Sequence, residues 1–418
     1  MAVRLPVAPR ALVVAVAIPF LFLHAKYQPS VSAGPVDAYL SDFAILAVVV
    51  TAAVVGARER FEPLRAGRWI WVALAAFVVW MALEVLWGHH VAAPYDTQSH
   101  LVTAAKFAEY ALLAPSIVLL LRTQAELLLA AWTLVLWSCF ATVVGVAQFF
   151  GADIFLAGTV GRRQASFLAS ADFSALSIGA LLIGFVLAAP RALRWTAIAT
   201  GVIGMIVAGA MASVLGLATA LVGLAILWRG EPRRLVVPVV ASLVVAVGAV
   251  AIRGSDLDAF ARFLGATPGA HHERETKVQT YAHRTLLVWL GWQIWQDHPV
   301  LGVGWEGSAE PANFMPHIPA AHRRFPNESP LAFPSPAPER RYGVQNSWVQ
   351  ALADLGVLGL LLWIVVFATP AWRAFRRSFA YPFALLCALL WLWSSQGFIA
   401  GIPLDALTFI GIGLAARP

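Results

Sequence analysis

Long, mostly apolar runs recur along the whole chain, separated by short basic turns. A helix needs roughly 17 to 25 such residues to cross a hydrocarbon core about 30 Å thick. Backbone polar groups left unpaired in lipid are costly, so segments of this kind cross as helices or as strands of a closed barrel. A barrel requires alternating strands of about ten residues, and runs such as Val236 to Ala251 do not alternate. Hydrophobic residues make up 60% of the chain and charged residues 12%, against about 25% charge in a soluble domain. The expected fold is an all-α polytopic membrane protein of about twelve transmembrane helices, with a long external loop between spans nine and ten.

The spans are read as Ala11 to Leu23, Phe43 to Gly56, Trp69 to Trp87, Leu101 to Leu121, Leu127 to Phe149, Ala171 to Ala188, Trp195 to Ala210, Ser213 to Trp228, Leu235 to Ile252, Ser347 to Phe367, Pro382 to Trp393 and Ile399 to Ala415. The seventh and eighth share one apolar stretch, either two short spans turning near Ala212 or a single tilted crossing. Residues 1–252 thus hold spans one to nine, 253–344 the loop with an amphipathic helix, and 345–418 spans ten to twelve. Arg4 and Arg10 precede an apolar run as in a signal peptide, yet no small-residue cleavage site precedes His24, so the first helix is read as retained.

Net charge is +7. Arg4, Arg10, Arg58, Arg60, Arg65, Arg68, Arg122, Arg191, Arg194, Arg229, Arg233, Arg234, Arg373, Arg376, Arg377 and Arg417 all fall on one side of a twelve-span chain. The positive-inside rule makes that side cytoplasmic, with both termini, and accounts for the basic excess without nucleic acid. All ten histidines then lie at or beyond the external ends of spans. Cys139 and Cys387 sit inside apolar segments and suggest neither a disulfide framework nor a metal cluster.

Functional candidates gather externally. Arg162 and Arg163, before span six, are exceptions to the positive-inside bias. They suit either a salt bridge or lipid headgroup, or recognition of a phosphate by fixed guanidinium charge. Arg284, early in the helix read over Glu275 to Gln296 with Leu286, Leu290 and Trp289 or Trp292 on its apolar face, could approach the same site. Lys106 and Glu109 stand one turn apart in span four as an ion pair or a cavity lining, and Glu84 in span three has similar status. Gly302 to Gly307 satisfies G-x-G-x-x-G without the strand and helix that a dinucleotide site needs, so close backbone packing or a special turn is the better reading and no cofactor is expected. Trp305 could support a sugar or anchor at the interface, and Glu306 could orient a hydroxyl. Gln345 and Asn346 could position substrate or cap span ten. His317 and His322 are possible bases, and no metal-ligand spacing is present.

The order of these motifs carries a resemblance. Gly161 to Phe167, then Arg284, Trp295 and Asp297 to Gly304, then Gln345 to Gly359, resemble the active-site regions of the O-antigen ligase and O-antigen polymerase superfamily. The resemblance implies a metal-independent glycosyltransferase at the periplasmic face of a bacterial inner membrane. Its donor would be an undecaprenyl-diphosphate-linked glycan and its acceptor a lipid A-core or a growing polysaccharide. Arg162 or Arg163 and Arg284 would hold the diphosphate, with Lys106, Trp305 and Asn346 as further substrate contacts. Ligases of this kind usually carry His where Gln345 stands, so His322 or Glu306 would assist, or catalysis would rest on positioning. A polymerase is the nearest alternative, and a lipid-linked glycan transporter a more distant one.

Overall fold

The computed structural model describes residues 8–33, 36–91, 94–155, 163–264, 280–325, 336–398 and 401–418. Each of the twelve apolar runs is helical. In chain order the helices are α1 (Pro9–Leu21), α2 (Leu40–Arg58), α3 (Arg68–Val91), α4 (Thr97–Ala111), α5 (Leu113–Leu120), α6 (Gln124–Phe149), α7 (Ser170–Val186), α8 (Arg191–Ala208), α9 (Met211–Leu227) and α10 (Val236–Phe263). There follow α11 (Thr280–Asp297), two short helices α12 (Pro311–Phe314) and α13 (Ile318–Arg324), then α14 (Ser347–Arg376), α15 (Ala380–Trp393) and α16 (Pro403–Ala416). Among the described residues, seven helical stretches are long and apolar enough to cross a membrane, with α4 and α5 forming one of them; α1, α7, α9, α15 and α16 are shorter apolar helices.

Two of the shorter helices are almost wholly enclosed. Of the 17 residues of α7, all but two are buried, and α16 is enclosed to the same degree. The long α2 and α10 instead leave rows of Leu, Val and Phe exposed, as lipid-facing surfaces require. Small residues let the central helices approach. A Cβ added at Gly201 of α8 would lie 2.6 Å from Leu181 Cβ and 2.8 Å from the Ser177 carbonyl of α7. Between α9 and α15, Thr219 Oγ1 donates to the Cys387 carbonyl at 2.9 Å. These are the short-range contacts that hold helices together where lipid removes the hydrophobic drive.

The stretch shared by spans seven and eight is two helices. Helix α8 ends at Gly209 in the left-handed region (φ 57°), and α9 starts at Met211. Two further features lie outside the sequence reading. A small antiparallel hairpin joins α1 to α2, with Ser30–Ala33 as β1 paired to Val36–Tyr39 as β2. Helix α10 also continues past Ile252 to Phe263, so Arg253 stands within a helix and not at the start of a loop. The amphipathic helix begins at Thr280, the part read upstream lying outside the described residues. It buries Leu286, Leu287 and Leu290, with Trp289 against Phe325, while Trp292 stays exposed.

Helix α14 breaks at Gly356, whose φ of 68° and ψ of −171° are not helical. The break would leave carbonyls without donors in the apolar interior. The segment after α11 supplies them: Val303 N–H donates to Ala353 O (3.0 Å) and Gly304 N–H to Asp354 O (2.9 Å). Pro299 O in turn accepts from Val357 N–H at 3.1 Å, and Trp80 Nε1 donates to Leu355 O at 3.2 Å. Gly302 and Gly304 both have positive φ, and a Cβ on either would strike backbone, of Asp354 and Gly88 respectively. The G-x-G-x-x-G spacing therefore serves close backbone packing.

Arg10, Arg122, Arg373 and Arg417 gather at one end of the bundle, where Arg122 pairs with Glu59, Arg10 with Glu126 (3.4 Å), and Arg373 Nη2 donates to Arg417 O (2.9 Å). This basic end lies opposite the end formed by α11 and the 299–307 segment.

Substituting Gly201 by Leu is expected to destabilise the α7–α8 pair by about 1–3 kcal/mol, the usual range for overpacking. The exposed Gly230, with open space around its Cα, should accept Ala without effect. Thermal unfolding of the purified protein in detergent checks both.

Candidate active site

The segment that follows α6 is pinned before it reaches α7. Gln148, at the end of α6, accepts from Ser166 N–H at 2.8 Å and donates through Nε2 to Ser166 O (3.1 Å) and Ile154 O (2.7 Å). Gln164 N–H donates to Val207 O at 3.2 Å, and Phe167 O accepts from His24 N–H at 3.1 Å. Arg163 is thereby fixed over the end of α8, and the Gly209 position, lacking a Cβ, admits its side chain.

Arg253 reaches the same place from α10. It is only 1% exposed, and its Nη1 donates to Gly209 O at 2.8 Å. The last carbonyls of a helix carry partial negative charge and lack intrahelical donors, so a guanidinium is a natural partner there. Its Cζ also lies 4.8 Å from the centre of the Tyr281 ring. Arg284, one turn along α11 from Tyr281, donates through Nε to Gln345 Oε1 at 3.1 Å. Burial lowers the Arg284 pKa, Tyr281 raises it, and the neighbouring Arg253 charge lowers it again; a guanidinium still keeps its proton at physiological pH.

Arg163, Arg253 and Arg284 line one cavity of about 230 Å³, with Gln345 at its edge. Its remaining wall comes from Asp172 at the start of α7, Ser213 of α9, Ser394 to Gln396 after α15 and Leu404 of α16. Asp172 is 5% exposed. It accepts from the Leu404 backbone N–H, and its Oδ1 has no hydrogen-bond partner among the described residues. The described charged lining is thus three guanidiniums and one carboxylate. Such an array suits a multiply charged anion, because guanidiniums bind anionic oxygens through charge-assisted hydrogen bonds.

Of the residues expected from sequence, Arg163, Arg284 and Gln345 meet here, and Arg162 lies outside the described residues. Asn346 caps α14: its Oδ1 accepts from Trp348 and Val349 N–H, both at 3.1 Å, and its Nδ2 donates to Ser394 O at 2.9 Å. Trp305 does not line the cavity. It is fully buried against Phe107 and Phe398, with Nε1 donating to Thr103 Oγ1 at 2.9 Å, which makes it a core side chain and leaves no ring face for a sugar. Lys106 pairs with Asp42 at 3.1 Å and not with Glu109, since β2 and α2 bring Asp42 closer than the helical spacing suggests. Glu306 contacts His100 at 3.3 Å beside a second contact, His100 to Glu310 at 2.9 Å. His322 is exposed on α13, and His317 pairs with Asp297 at 3.2 Å.

Arg253, Asp172 and Tyr281 were not singled out by sequence. Arg253 did carry a signal, as a further external arginine against the positive-inside bias. Asp172 carried one too: a carboxylate inside an otherwise apolar span.

No curated protein matches the chain. The family model described as O-antigen ligase matches residues 196–364, from α8 through α10 and α11 into α14, a stretch holding Arg253, Arg284 and Gln345. That match supports the O-antigen ligase superfamily for this chain, the same family that the order of its motifs resembles.

Proposed function

We propose that the chain transfers a glycan from undecaprenyl diphosphate to an acceptor hydroxyl at the external face of a bacterial inner membrane, with both termini cytoplasmic. The observation that carries this reading is the convergence of Arg163, Arg253 and Arg284 on one cavity. The three guanidiniums bind the donor diphosphate. The acceptor oxygen attacks the anomeric carbon, and the bond from that carbon to the diphosphate oxygen breaks with its electron pair. The charge that collects on the departing diphosphate meets cations already fixed in the cavity wall, so its stabilisation needs no reorganisation at the moment of reaction.

The acceptor proton needs a base. Gln345 cannot take it, and its carbonyl is already held by Arg284. Asp172 lines the cavity, and here it is the candidate base in place of His322 or Glu306, neither of which lines it. A lipid A-core acceptor would make the reaction a ligation, and the end of a growing polysaccharide a polymerisation.

Purified protein incubated with a defined undecaprenyl-diphosphate glycan and candidate acceptors should release undecaprenyl diphosphate and form a glycosylated product. One addition per acceptor marks a ligase and repeated addition a polymerase; donor movement across vesicles without bond cleavage would overturn the enzymatic reading. Arg253→Ala and Arg284→Ala should each lower kcat by roughly 100-fold or more while the protein stays monodisperse, the range seen when one transition-state donor is lost. Lys at either position should recover only part, since an ammonium lacks the fork geometry. Asp172→Asn should lower kcat with little change in donor affinity and remove the acidic limb of the pH–rate profile; a profile identical to the wild type would exclude Asp172 as the base.

A further inference from the structure

A second cavity, of about 420 Å³, lies at the opposite ends of the same three central helices. The arginine cavity touches Asp172 of α7, Leu392 of α15 and Leu404 of α16, whereas the second touches Ile183 and Val186 of α7, Ala380 to Pro382 of α15, and Ile410 and Leu414 of α16. Eleven residues of α7 separate Asp172 from Ile183, a rise of about 16 Å. The second cavity therefore opens in the leaflet of the basic end, away from the proposed chemistry.

Its walls and its mouth differ in character. Val14 and Ile18 of α1, Ile117 of α5 and Leu127, Ala130 and Leu134 of α6 complete an apolar interior facing α7 and α16. At the mouth stand Arg234 and Arg417, with Gln124, Ser378 and Tyr381 as neutral polar groups and Trp228 at the rim. Arg234 is paired with Glu231 at 2.7 Å, but both side chains are more than half exposed, so the pair is weak and exchangeable. Arg417 donates through Nη2 to Arg122 O at 2.6 Å, a bond that occupies one of its five N–H donors; Glu126 lies near it, already paired with Arg10. The volume falls within the roughly 300–1,000 Å³ typical of ligand pockets. An apolar slot between helices with cations at its mouth on the basic side matches the form of an anionic-lipid site.

We propose that this cavity binds one anionic phospholipid of the leaflet at the basic end, an acyl chain lying between α1, α6 and α7 and the headgroup phosphate against Arg234 and Arg417. Charge complementarity selects the headgroup and the apolar walls take the chain. Bound there, the lipid fills the gap between the α1–α6 pair and the central helices, so it stabilises the bundle without entering the arginine cavity.

Delipidated full-length protein in detergent, titrated with phosphatidylglycerol, phosphatidylcholine or undecaprenyl phosphate and followed by native mass spectrometry, tests this. One phosphatidylglycerol should be retained with an accompanying rise in unfolding temperature, phosphatidylcholine about tenfold more weakly. The double variant Arg234→Ala/Arg417→Ala should lose the preference for phosphatidylglycerol. Ala130→Phe, which fills the slot and leaves the charges in place, should weaken binding of both phospholipids while thermal unfolding of the lipid-free protein remains cooperative. Equal retention of the two phospholipids, unchanged binding in both variants, or complete displacement by undecaprenyl phosphate at lower concentration would each overturn the proposal. Loss of transferase activity with Arg284→Ala should leave phosphatidylglycerol binding intact, which separates this site from the proposed reaction.

Discussion

A carbonyl released by a broken helix inside an apolar bundle has no water to turn to, and the described residues at the loop end include two such breaks. The first is where α8 stops at Gly209, whose carbonyl takes a hydrogen bond from Arg253. The second is at Gly356 of α14, where three successive carbonyls, of Ala353, Asp354 and Leu355, are met by Val303, Gly304 and Trp80. An unmet carbonyl would cost on the order of 1–3 kcal/mol, enough to reshape the local fold. The need to satisfy these groups therefore fixes where the external segments dock, and with them the arginines.

The consequence runs outward from each break. Arg253 cannot cap α8 without bringing its guanidinium beside Arg163, which Gln148 and the end of α8 already hold in place. The 299–304 segment cannot close the α14 break without anchoring the C-terminal end of α11, the helix that carries Arg284. The Gly302 and Gly304 conformations, the Ser308 N–H bond to Asp354 Oδ1 (2.8 Å) and the Gln350 bond to Asp354 Oδ2 (2.9 Å) make that anchoring rigid. The contacts that satisfy the backbone are thus the ones that bring the three arginines to one cavity.

What sequence revealed and what it concealed follow from the range of the interactions. Apolar runs are local, and each of them proved helical; the G-x-G-x-x-G spacing is local too, and its reading as close backbone packing agrees with the Gly304 approach to Gly88. The β1–β2 hairpin escaped because strands of four residues carry almost no periodicity. Partners chosen by tertiary structure were also invisible: Lys106 has Glu109 at helical spacing, yet Asp42 meets it from 64 positions away. Trp305 read as a sugar platform or, more commonly for such a residue, an interfacial anchor, and only its enclosure by Phe107 and Phe398 decides against both. Arg163 and Arg284 were legible as external cations, whereas Arg253 was hidden by the assumption that a charge ends a span.

Gln345 now has a physical role that does not depend on proton transfer. Its carbonyl oxygen holds Arg284 Nε, and the adjacent Asn346 ties the start of α14 to the Ser394 carbonyl beyond α15. A histidine there could offer a base, but protonated it would repel the three guanidiniums nearby. A neutral amide orients Arg284 at every pH and adds no charge to a cavity already rich in cations. The proton then has to go to a group whose negative charge the same cations favour, and Asp172 is the carboxylate among the described residues of that wall. In the proposed reaction, an amide at the mouth of α14 leaves the acid–base task to α7 across the cavity, while leaving-group stabilisation stays with the arginines.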